Sequence, residues 1–412
     1  MDRVVSALGC VLLIACGGDG PSPATKNGAG GSAGEPNAAG GGGKGGTSSK
    51  PPHGGSENGG HGGEASRGGD GGQKNEGGSG GKIGPPPTGK PGPRFIGRVT
   101  NDPDGRNFAW SGSAVELRFT GTEISVTLDD WGHNYFEVIV DGQHHVMSVG
   151  SEEATYLLAS GLDPGEHEVL LYRRSEAFFG PTRFVAFSVP ESQWLPSNVP
   201  SGRKIEVVAD STATGYGIEG PDEHCGFSAE TENHYIAYPA IAARAVDAEV
   251  NTIGWSGIGV YRDNDGHTEN NMALRYPRAV PTDETSTWDF SLFVPQAVVV
   301  NLGSNDFVAD DPGQEFEDAY EELLDTIRSH YPDARIYVAV GSSTSGSEYS
   351  RLKPRLEAIV TSRLASGDNV ALLDFGTTGD EATYGCDWHP GQATHQLMAD
   401  ILVDALRRDL DW

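Results

Sequence analysis

Alternating apolar and polar positions mark the first part of the chain that is expected to fold, which begins near residue 94. In the run Ile124-Ser125-Val126-Thr127-Leu128 every second side chain is apolar, as in a strand with one buried face. The run 114–119 shares this alternation, and 135–140 and 167–172 are two further predicted strands. Segments rich in glycine, aspartate and proline separate the runs and predict turns at 120–122, 141–142 and 162–165. Residues 94–192 are therefore predicted to form a small antiparallel β-sandwich of the jelly-roll type.

The pattern changes after residue 200, where continuous apolar runs alternate with helical periodicity. The run 297–302 is apolar at five of its six positions, which is typical of a strand buried on both faces. The five predicted strands are 204–209, 249–253, 297–302, 335–340 and 370–374. The predicted helices are 235–246, 315–330, 349–364 and 391–408. Residues 200–412 are therefore predicted to form a three-layer α/β/α domain around a five-stranded parallel sheet.

The segment before residue 94 has a different character. Residues 1–16 hold a short apolar stretch that ends in Leu13-Ile14-Ala15-Cys16, which resembles a bacterial lipoprotein signal with Cys16 as the lipidated residue. An ordinary secretory signal is the alternative. Residues 17–93 are rich in glycine and poor in apolar residues, so they are predicted to form a disordered linker. We expect an exported protein that meets the bacterial membrane or cell surface only through a lipid anchor.

Charge and cysteine usage narrow the possible partners. The formal net charge of −29 disfavours nucleic acid and anionic lipid, because their phosphates would be repelled. Nothing in the folded part offers four well-spaced zinc ligands, and no metal or cofactor is expected. Of the four cysteines, only Cys225 and Cys386 lie outside the signal segment.

Chemistry-bearing residues follow four of the predicted parallel strands, and sites in such sheets form beyond the carboxyl ends of the strands. Ser211 follows the first strand, Gly257 the second and Asn305 the third, while His389 lies in the loop after the fifth. Acyl transfer needs a nucleophile, a base and donors to a developing oxyanion. Ser211 is the candidate nucleophile and His389 the candidate base. The backbone N–H groups of Ser211 and Gly257 and the amide of Asn305 are the candidate oxyanion donors.

Each of these residues also has an ordinary structural interpretation. A lone serine after a strand is usually a helix cap, and a lone glycine in a loop usually serves a turn. Their joint occurrence in this order favours the catalytic interpretation. Asp387 is the nearest acid that can orient the His389 ring, and a backbone carbonyl is the alternative.

The motifs together resemble the SGNH (GDSL) hydrolase superfamily, and the fuller pattern resembles carbohydrate esterase family 2. The runs that carry the resemblance are 211–217 (STATGYG), 255–262 (WSGIGVYR) and 302–307 (LGSNDF). A β-sandwich before the hydrolase domain is also the arrangement of that family. The resemblance implies an acetyl esterase that acts on O-acetylated polysaccharides of the xylan or mannan class.

Aromatic residues are candidates for sugar binding. The family often places a cleft aromatic in the loop after the fourth strand, but here that loop, 341–347, is small and polar. The candidate substrate-binding residues are therefore Trp388 and Tyr349, which lies shortly after that loop. In the sandwich, Trp110, Trp131 and Tyr135 can form a sugar-stacking face, although a core or inter-domain position is the favoured interpretation.

Two alternative functions remain open from the sequence. The same machinery can serve a short-chain lipid esterase or thioesterase, and a decayed site would leave a non-catalytic glycan-binding surface lipoprotein. Cys225 follows the nucleophile and Cys386 directly precedes Asp387, so a disulfide between them is predicted to tie the two catalytic loops together. Two free thiols are the alternative.

Overall fold

The computed structural model of this chain describes residues 89–342, 346–377 and 384–412. Cys16 and the linker up to residue 88 lie outside the described residues, as does the middle of the loop after the fourth parallel strand. Within the described ranges, no helix combines the length and the apolar character that a membrane crossing requires.

The first domain is a single antiparallel sheet that curls around its own core. Its strands are β1 (Arg94–Ile96), β2 (Arg106–Phe108), β3 (Ala114–Asp129), β4 (Tyr135–Val140), β5 (Gln143–Ser148), β6 (Ala154–Arg173), β7 (Thr182–Phe187) and β8 (Trp194–Leu195). The order across the sheet is β2-β7-β3-β6-β4-β5, and β1 and β8 pair with β3. Leu117 and Val126, from opposite halves of β3, enter the same apolar core. The sheet therefore closes over that core as a β-sandwich, as predicted.

Two of the predicted turns are irregularities inside long strands, so those predictions were wrong. β3 and β6 are paired on both sides of these segments, and the register shifts between them. Gly121 pairs with Gly165, and the next pair is Glu123 with Ser160. Residues 161–164 are the surplus on β6, where Gly161 has a φ of 70° and Pro164 has no N–H to donate. Glycine and proline here accommodate a bulge. The predicted Asp141-Gly142 turn does join β4 to β5, and both of its residues have positive φ.

The second domain is a three-layer α/β/α structure, as predicted. Its strands are β9 (Arg203–Ala209), β10 (Ala248–Gly254), β11 (Ala297–Asn301), β12 (Arg335–Gly341) and β13 (Val370–Gly376). They form a parallel sheet of order β10-β9-β11-β12-β13. The helices are α1 (Ser211–Thr214), α2 (Tyr238–Ala245), α3 (Met272–Arg275), α4 (Gln314–His330), α5 (Gly346–Ala365) and α6 (Gln392–Leu410).

Each face of the parallel sheet carries its own apolar core. Val298 and Val300 of β11 pack into one core with α4 and α5, whereas Val299 packs into the other with α2 and α6. Every residue of β11 is buried, which explains why its sequence shows a continuous apolar run and no alternation.

Buried polar contacts join the two domains. The guanidinium of Arg98, before β2, lies 3.2 Å from the Glu206 carboxylate of β9, and neither side chain is exposed. Trp110 belongs to the core of the hydrolase domain and donates from Nε1 to the Arg278 carbonyl at 3.3 Å. Trp110 is therefore an inter-domain residue, as the favoured interpretation had it, whereas Trp131 is 60% exposed.

Candidate active site

The hydroxyl of Ser211 and the imidazole of His389 meet at the carboxyl end of the sheet. Ser211 is the first residue of α1. Asp210 lies between β9 and this helix and caps the helix by accepting from the N–H of Thr212 at 3.1 Å. The Oγ of Ser211 lies 2.9 Å from the Nε2 of His389. At this distance the imidazole can take the hydroxyl proton directly.

A backbone carbonyl orients the histidine ring. The Nδ1 of His389 lies 3.0 Å from the carbonyl oxygen of Asp387. Because a carbonyl oxygen can only accept, the shared proton sits on Nδ1, and Nε2 keeps the lone pair that faces Ser211. This tautomer is the one that a general base requires.

The expectation that the Asp387 carboxylate orients the ring was wrong. Its Oδ2 accepts from the hydroxyl of Tyr216 at 3.1 Å and from the N–H of Phe227 at 3.0 Å. Asp387 also has a φ of 51°, in the left-handed region. This backbone conformation directs the carbonyl towards the imidazole while the carboxylate is held by the loop that follows the nucleophile.

His389 lies in an aromatic and poorly hydrated setting. The ring of Tyr216 stacks on the imidazole with centroids 4.0 Å apart, and Phe227 stacks on the far side of Tyr216 at 3.8 Å. Burial lowers the pKa of His389 from its ordinary value, and the Asp387 carbonyl and charge offset only part of this effect. The imidazole therefore stays neutral, and able to act as a base, at pH values at which an ordinary histidine is protonated.

The loop after the nucleophile holds the histidine loop in place. The structure pairs Cys225 with Cys386 in a disulfide. Two backbone bonds run beside it, from the Cys386 N–H to the Gly217 carbonyl and from the Asp387 N–H to the Cys225 carbonyl, both at 3.0 Å. Three interactions thus hold the left-handed backbone of Asp387 in place: the bond from its own N–H, the bonds to its carboxylate and the disulfide of the preceding residue, Cys386.

The loop that carries the candidate oxyanion glycine spans residues 255–262. Gly257 has a φ of 77°, a conformation that a side chain would strain. Asp306, which follows β11, accepts from three successive backbone N–H groups of this loop at 2.8–3.0 Å: those of Val260, Tyr261 and Arg262. A Cβ at Gly259 would lie 2.1 Å from the Asp306 carboxylate, so glycine permits this close approach. Burial raises the pKa of Asp306 to about 6 although these N–H groups oppose the shift.

The amide of Asn305 lies between the nucleophile turn and this loop. Its Nδ2 donates to the Ile258 carbonyl at 3.1 Å and approaches the Asp210 carboxylate at 3.4 Å. Ser211, Gly257 and Asn305 follow the adjacent strands β9, β10 and β11, so the structure brings all three to one edge of the sheet. The contact to Asp210 is the longer of the two. If the acyl oxygen of a substrate took the place of the Asp210 carboxylate, the Asn305 amide would donate a hydrogen bond to that oxygen.

The two predicted sugar-binding residues differ in their surroundings. Trp388, beside His389, is 55% exposed and has a φ of 61°, so its ring remains available at the site. The hydroxyl of Tyr349 lies 2.7 Å from both carboxylate oxygens of Asp374 at the end of β13. Tyr349 is thus occupied by a neighbouring acid, and its role in substrate binding stays a prediction.

The residues that hold these loops could not be recognised from the sequence. Asp306 was visible beside Asn305, but a carboxylate that binds backbone N–H groups 44 to 46 residues away leaves no periodic signal. Phe178 of the sandwich domain was missed as well; its ring lies 6.1 Å from that of Phe227 and 6.4 Å from that of Trp255. In the described ranges, no group of three or more His, Cys, Asp or Glu side chains could hold a metal ion.

Comparison with known proteins agrees with this fold. Residues 95–197 match the model of the carbohydrate esterase 2 N-terminal family, and residues 210–397 match the GDSL-like Lipase/Acylhydrolase family. Fold and site thus define a two-domain ester hydrolase of the SGNH (GDSL) superfamily. The chain belongs, within that class, to carbohydrate esterase family 2.

Similar proteins and structures support the assignment. A family two carbohydrate esterase from Clostridium thermocellum, solved in complex with cellohexaose, is 39% identical with a TM-score of 0.75 and is matched over 100% of its chain and 78% of this one. The Cellulase/esterase CelE of Acetivibrio thermocellus is 39% identical over 79% of this chain, which spans only 40% of that protein. An acetylxylan esterase / glucomannan deacetylase of Cellvibrio japonicus is 25% identical over 77% of this chain and 89% of its own length.

Proposed function

We propose that this protein removes O-acetyl groups from plant-type polysaccharides of the xylan or mannan class by a serine acyl-enzyme mechanism. The observation that carries the proposal is the 2.9 Å contact between Ser211 Oγ and the lone-pair nitrogen of His389. The acetylxylan esterase / glucomannan deacetylase among the similar proteins supports the acetyl group and the polysaccharide class. The cellohexaose complex of the 39% identical structure supports a glycan as the ligand.

Acylation begins with attack of Ser211 Oγ on the acetyl carbonyl carbon, while Nε2 of His389 takes the hydroxyl proton. The tetrahedral oxyanion is stabilised by the N–H groups of Ser211 and Gly257 and by the Asn305 amide. Nε2 then gives its proton to the departing sugar oxygen as the C–O bond breaks. This step leaves an acetyl-serine and a free sugar hydroxyl.

Deacylation repeats the sequence with water. Nε2 takes a proton from a water molecule, whose oxygen attacks the acetyl-serine, and the same donors hold the second oxyanion. Collapse returns the proton to Ser211 Oγ and releases acetate. Throughout, the Asp387 carbonyl accepts from Nδ1 and stabilises the imidazolium that forms in each half-reaction.

Acetate release tests the proposal directly. The purified chain is assayed on acetylated xylan, on acetylated glucomannan and on 4-nitrophenyl esters of increasing chain length. We expect acetate from both polysaccharides and a preference for the acetyl ester. Faster turnover of long-chain esters would instead indicate a lipid esterase or thioesterase, and binding of glycan without turnover would indicate a glycan-binding lipoprotein.

Replacement of the nucleophile is the matched control. Ser211→Ala should lower kcat by up to ~10⁶, because the acyl-enzyme can no longer form. The variant should unfold at the same temperature as the wild type, since only one hydroxyl is lost. If Ser211→Ala retains most of the activity, another residue is the nucleophile.

We also propose that Cys16 is lipidated, so that the catalytic domain is anchored to the bacterial membrane or cell surface by the linker. The sequence ending in Leu13-Ile14-Ala15-Cys16 motivates this location. Radiolabelled palmitate fed to expressing cells should enter the wild-type protein and not Cys16→Ala. Equal labelling of both would disprove the anchor.

A further inference from the structure

Two glutamates are fully buried where the sandwich domain meets the active site. Glu176 follows β6 of the sandwich, and Glu232 lies in the loop between the nucleophile and α2 of the hydrolase domain. Both side chains have 0% exposure. Buried carboxyls are costly unless neighbouring groups compensate for the lost hydration, so their contacts indicate what they do.

Glu176 binds the residue that precedes the candidate oxyanion glycine. Its Oε2 accepts from the backbone N–H of Ser256 at 2.7 Å, and its Oε1 accepts from the Ser256 hydroxyl at 2.5 Å. The N–H of Gly257 belongs to the peptide unit that joins Ser256 to Gly257. Holding Ser256 at both its backbone and its side chain therefore fixes the direction of this N–H.

Glu232 connects Glu176 to the nucleophile helix. Its Oε2 accepts from the backbone N–H of Glu176 at 2.8 Å, and its carboxyl also interacts with the Thr214 side chain. The hydroxyl of Thr214 donates to the Ser211 carbonyl at 3.0 Å. The pair thus links the oxyanion loop to α1, and one of its two members comes from the other domain.

The protonation of the pair is compatible with this burial. Burial raises the pKa of Glu176 to about 7, and it raises the pKa of Glu232 well above its ordinary value, with repulsion from Glu176 adding to the effect. These surroundings therefore favour the protonated form of Glu232. Arg173 donates to the Glu176 carbonyl at 3.0 Å and adds a buried positive charge beside the pair. A neutral amide at position 176 is close in charge to the protonated form that burial favours.

We propose that Glu176, supplied by the sandwich domain, is a positioning residue that orients the oxyanion donor of Gly257, with Glu232 as its hydrogen-bonded partner. The proposal rests on the esterase function proposed above. It gives the sandwich a part in the chemistry through Ser256, without contact between Glu176 and the substrate. Removing Glu176 should therefore affect the chemical step more than substrate binding.

The test compares Glu176→Ala, Glu176→Gln and a control on the same protein. Glu176→Ala should lower kcat by ~10²–10³, the loss expected for a missing oxyanion donor, and should change KM by less than about threefold. Glu176→Gln should recover kcat to within about tenfold of the wild type, because its amide oxygen still accepts from Ser256. Ser256→Ala, which keeps only the backbone bond, should lose about tenfold.

Asp130→Asn is the matched control. Asp130 is a buried carboxylate of the same domain, but its bonds go to Gly132, Asn134 and Thr182, within the sandwich. Because the Thr182 hydroxyl also accepts from Arg173, this variant controls for a disturbance of Arg173 that does not involve Ser256. We expect this variant to lower the unfolding temperature and to leave kcat unchanged. If Glu176→Ala keeps kcat within threefold of the wild type, or loses it only in step with unfolding, the positioning role is wrong.

A second readout separates this proposal from the proposed function. A fluorophosphonate reacts with an activated serine by attack of Oγ on phosphorus and loss of fluoride, and the developing charge on the phosphoryl oxygen uses the same donors. Its rate of reaction with Ser211 should fall by ~10²–10³ in Glu176→Ala and recover in Glu176→Gln. Unchanged labelling in Glu176→Ala would overturn the inference. Labelling with no acetate release from polysaccharide would overturn only the substrate assignment.

Discussion

The catalytic pair consists of a hydroxyl and an imidazole whose protonation is set by its surroundings. Tyr216 covers one face of the His389 ring, and desolvation lowers the pKa of the imidazole. A peptide carbonyl, that of Asp387, contacts Nδ1, the ring nitrogen that an acid usually contacts. The base is therefore neutral over a wider acidic range than a solvent-exposed histidine would be.

The pH dependence of activity should reflect this shift. Protonated His389 cannot accept from Ser211, so kcat/KM falls as the pH drops through the pKa of the imidazole. Because that pKa is lowered, we expect the acidic midpoint for 4-nitrophenyl acetate below pH 6.5. The profile is measured in Glu176→Gln as well, so that the neighbouring carboxyl does not contribute. A midpoint at or above pH 6.5 in both proteins would contradict the lowered pKa.

Substitution of Asp387 distinguishes the carbonyl from a carboxylate. Asn also tolerates the left-handed conformation, and the main-chain carbonyl remains in Asp387→Asn. We expect kcat to fall less than about tenfold, whereas loss of a true triad carboxylate costs ~10⁴. Steady-state kinetics on 4-nitrophenyl acetate measure the difference, and a loss near 10⁴ would restore the carboxylate to the mechanism.

The reacting residues could be located from the sequence because each lies in a loop that follows one of the apolar runs that predict the parallel strands. Ser211, Gly257, Asn305 and His389 could each be placed at a strand end. The orientation of the Asp387 carbonyl could not, because it depends on a positive φ that no residue type dictates. Glu176 was out of reach as well, since its partner Ser256 lies 80 residues further on in another domain.

At the scale of elements, the two loops that carry Ser211 and His389 behave as one unit. The Cys225–Cys386 disulfide spans 161 residues and lies beside backbone bonds that fix Asp387. A chain-entropy argument gives such a link ~5 kcal/mol at most. Its effect on catalysis comes from holding the Asp387 carbonyl against the imidazole.

Removing the disulfide should therefore affect both stability and rate. We expect Cys225→Ser/Cys386→Ser to unfold at a lower temperature and to show a reduced kcat, because the His389 loop loses its covalent link to the nucleophile loop. Calorimetry and kinetics on the double variant measure the two effects. Thiol titration of the unreduced, denatured wild type should find neither cysteine free, and two reactive thiols from these positions would rule out the link.

Strand prediction shows what local sequence can and cannot specify. Turn-forming residues at 120–122 and 162–165 predicted reversals, yet β3 and β6 continue through them with a bulge. Glycine and proline indicate that regular strand pairing is interrupted. Whether the chain reverses direction there depends on strands that are distant in the sequence. The continuous apolar strands of the parallel sheet were predictable because burial on both faces is itself a local pattern.

For the whole molecule, the sandwich and hydrolase domains depend on each other. Trp110 completes the hydrolase core, and Arg98 compensates the buried Glu206. A fragment of residues 200–412 would expose that core surface and leave a buried carboxylate without its partner. We expect the fragment to unfold well below the temperature of the complete chain and to lose activity. Comparable melting of the two by circular dichroism would show that the hydrolase domain is independent.

The peptide carbonyl at position 387 has a consequence for evolution and for gene mining. A main-chain oxygen cannot be deleted by any codon change, so this part of the catalytic apparatus is hidden from alanine scanning. A sequence search that requires an acidic side chain as the third member of a catalytic triad would reject such enzymes as inactive. A more informative criterion is a residue tolerant of left-handed geometry two places before the histidine, held by the loop that follows the nucleophile.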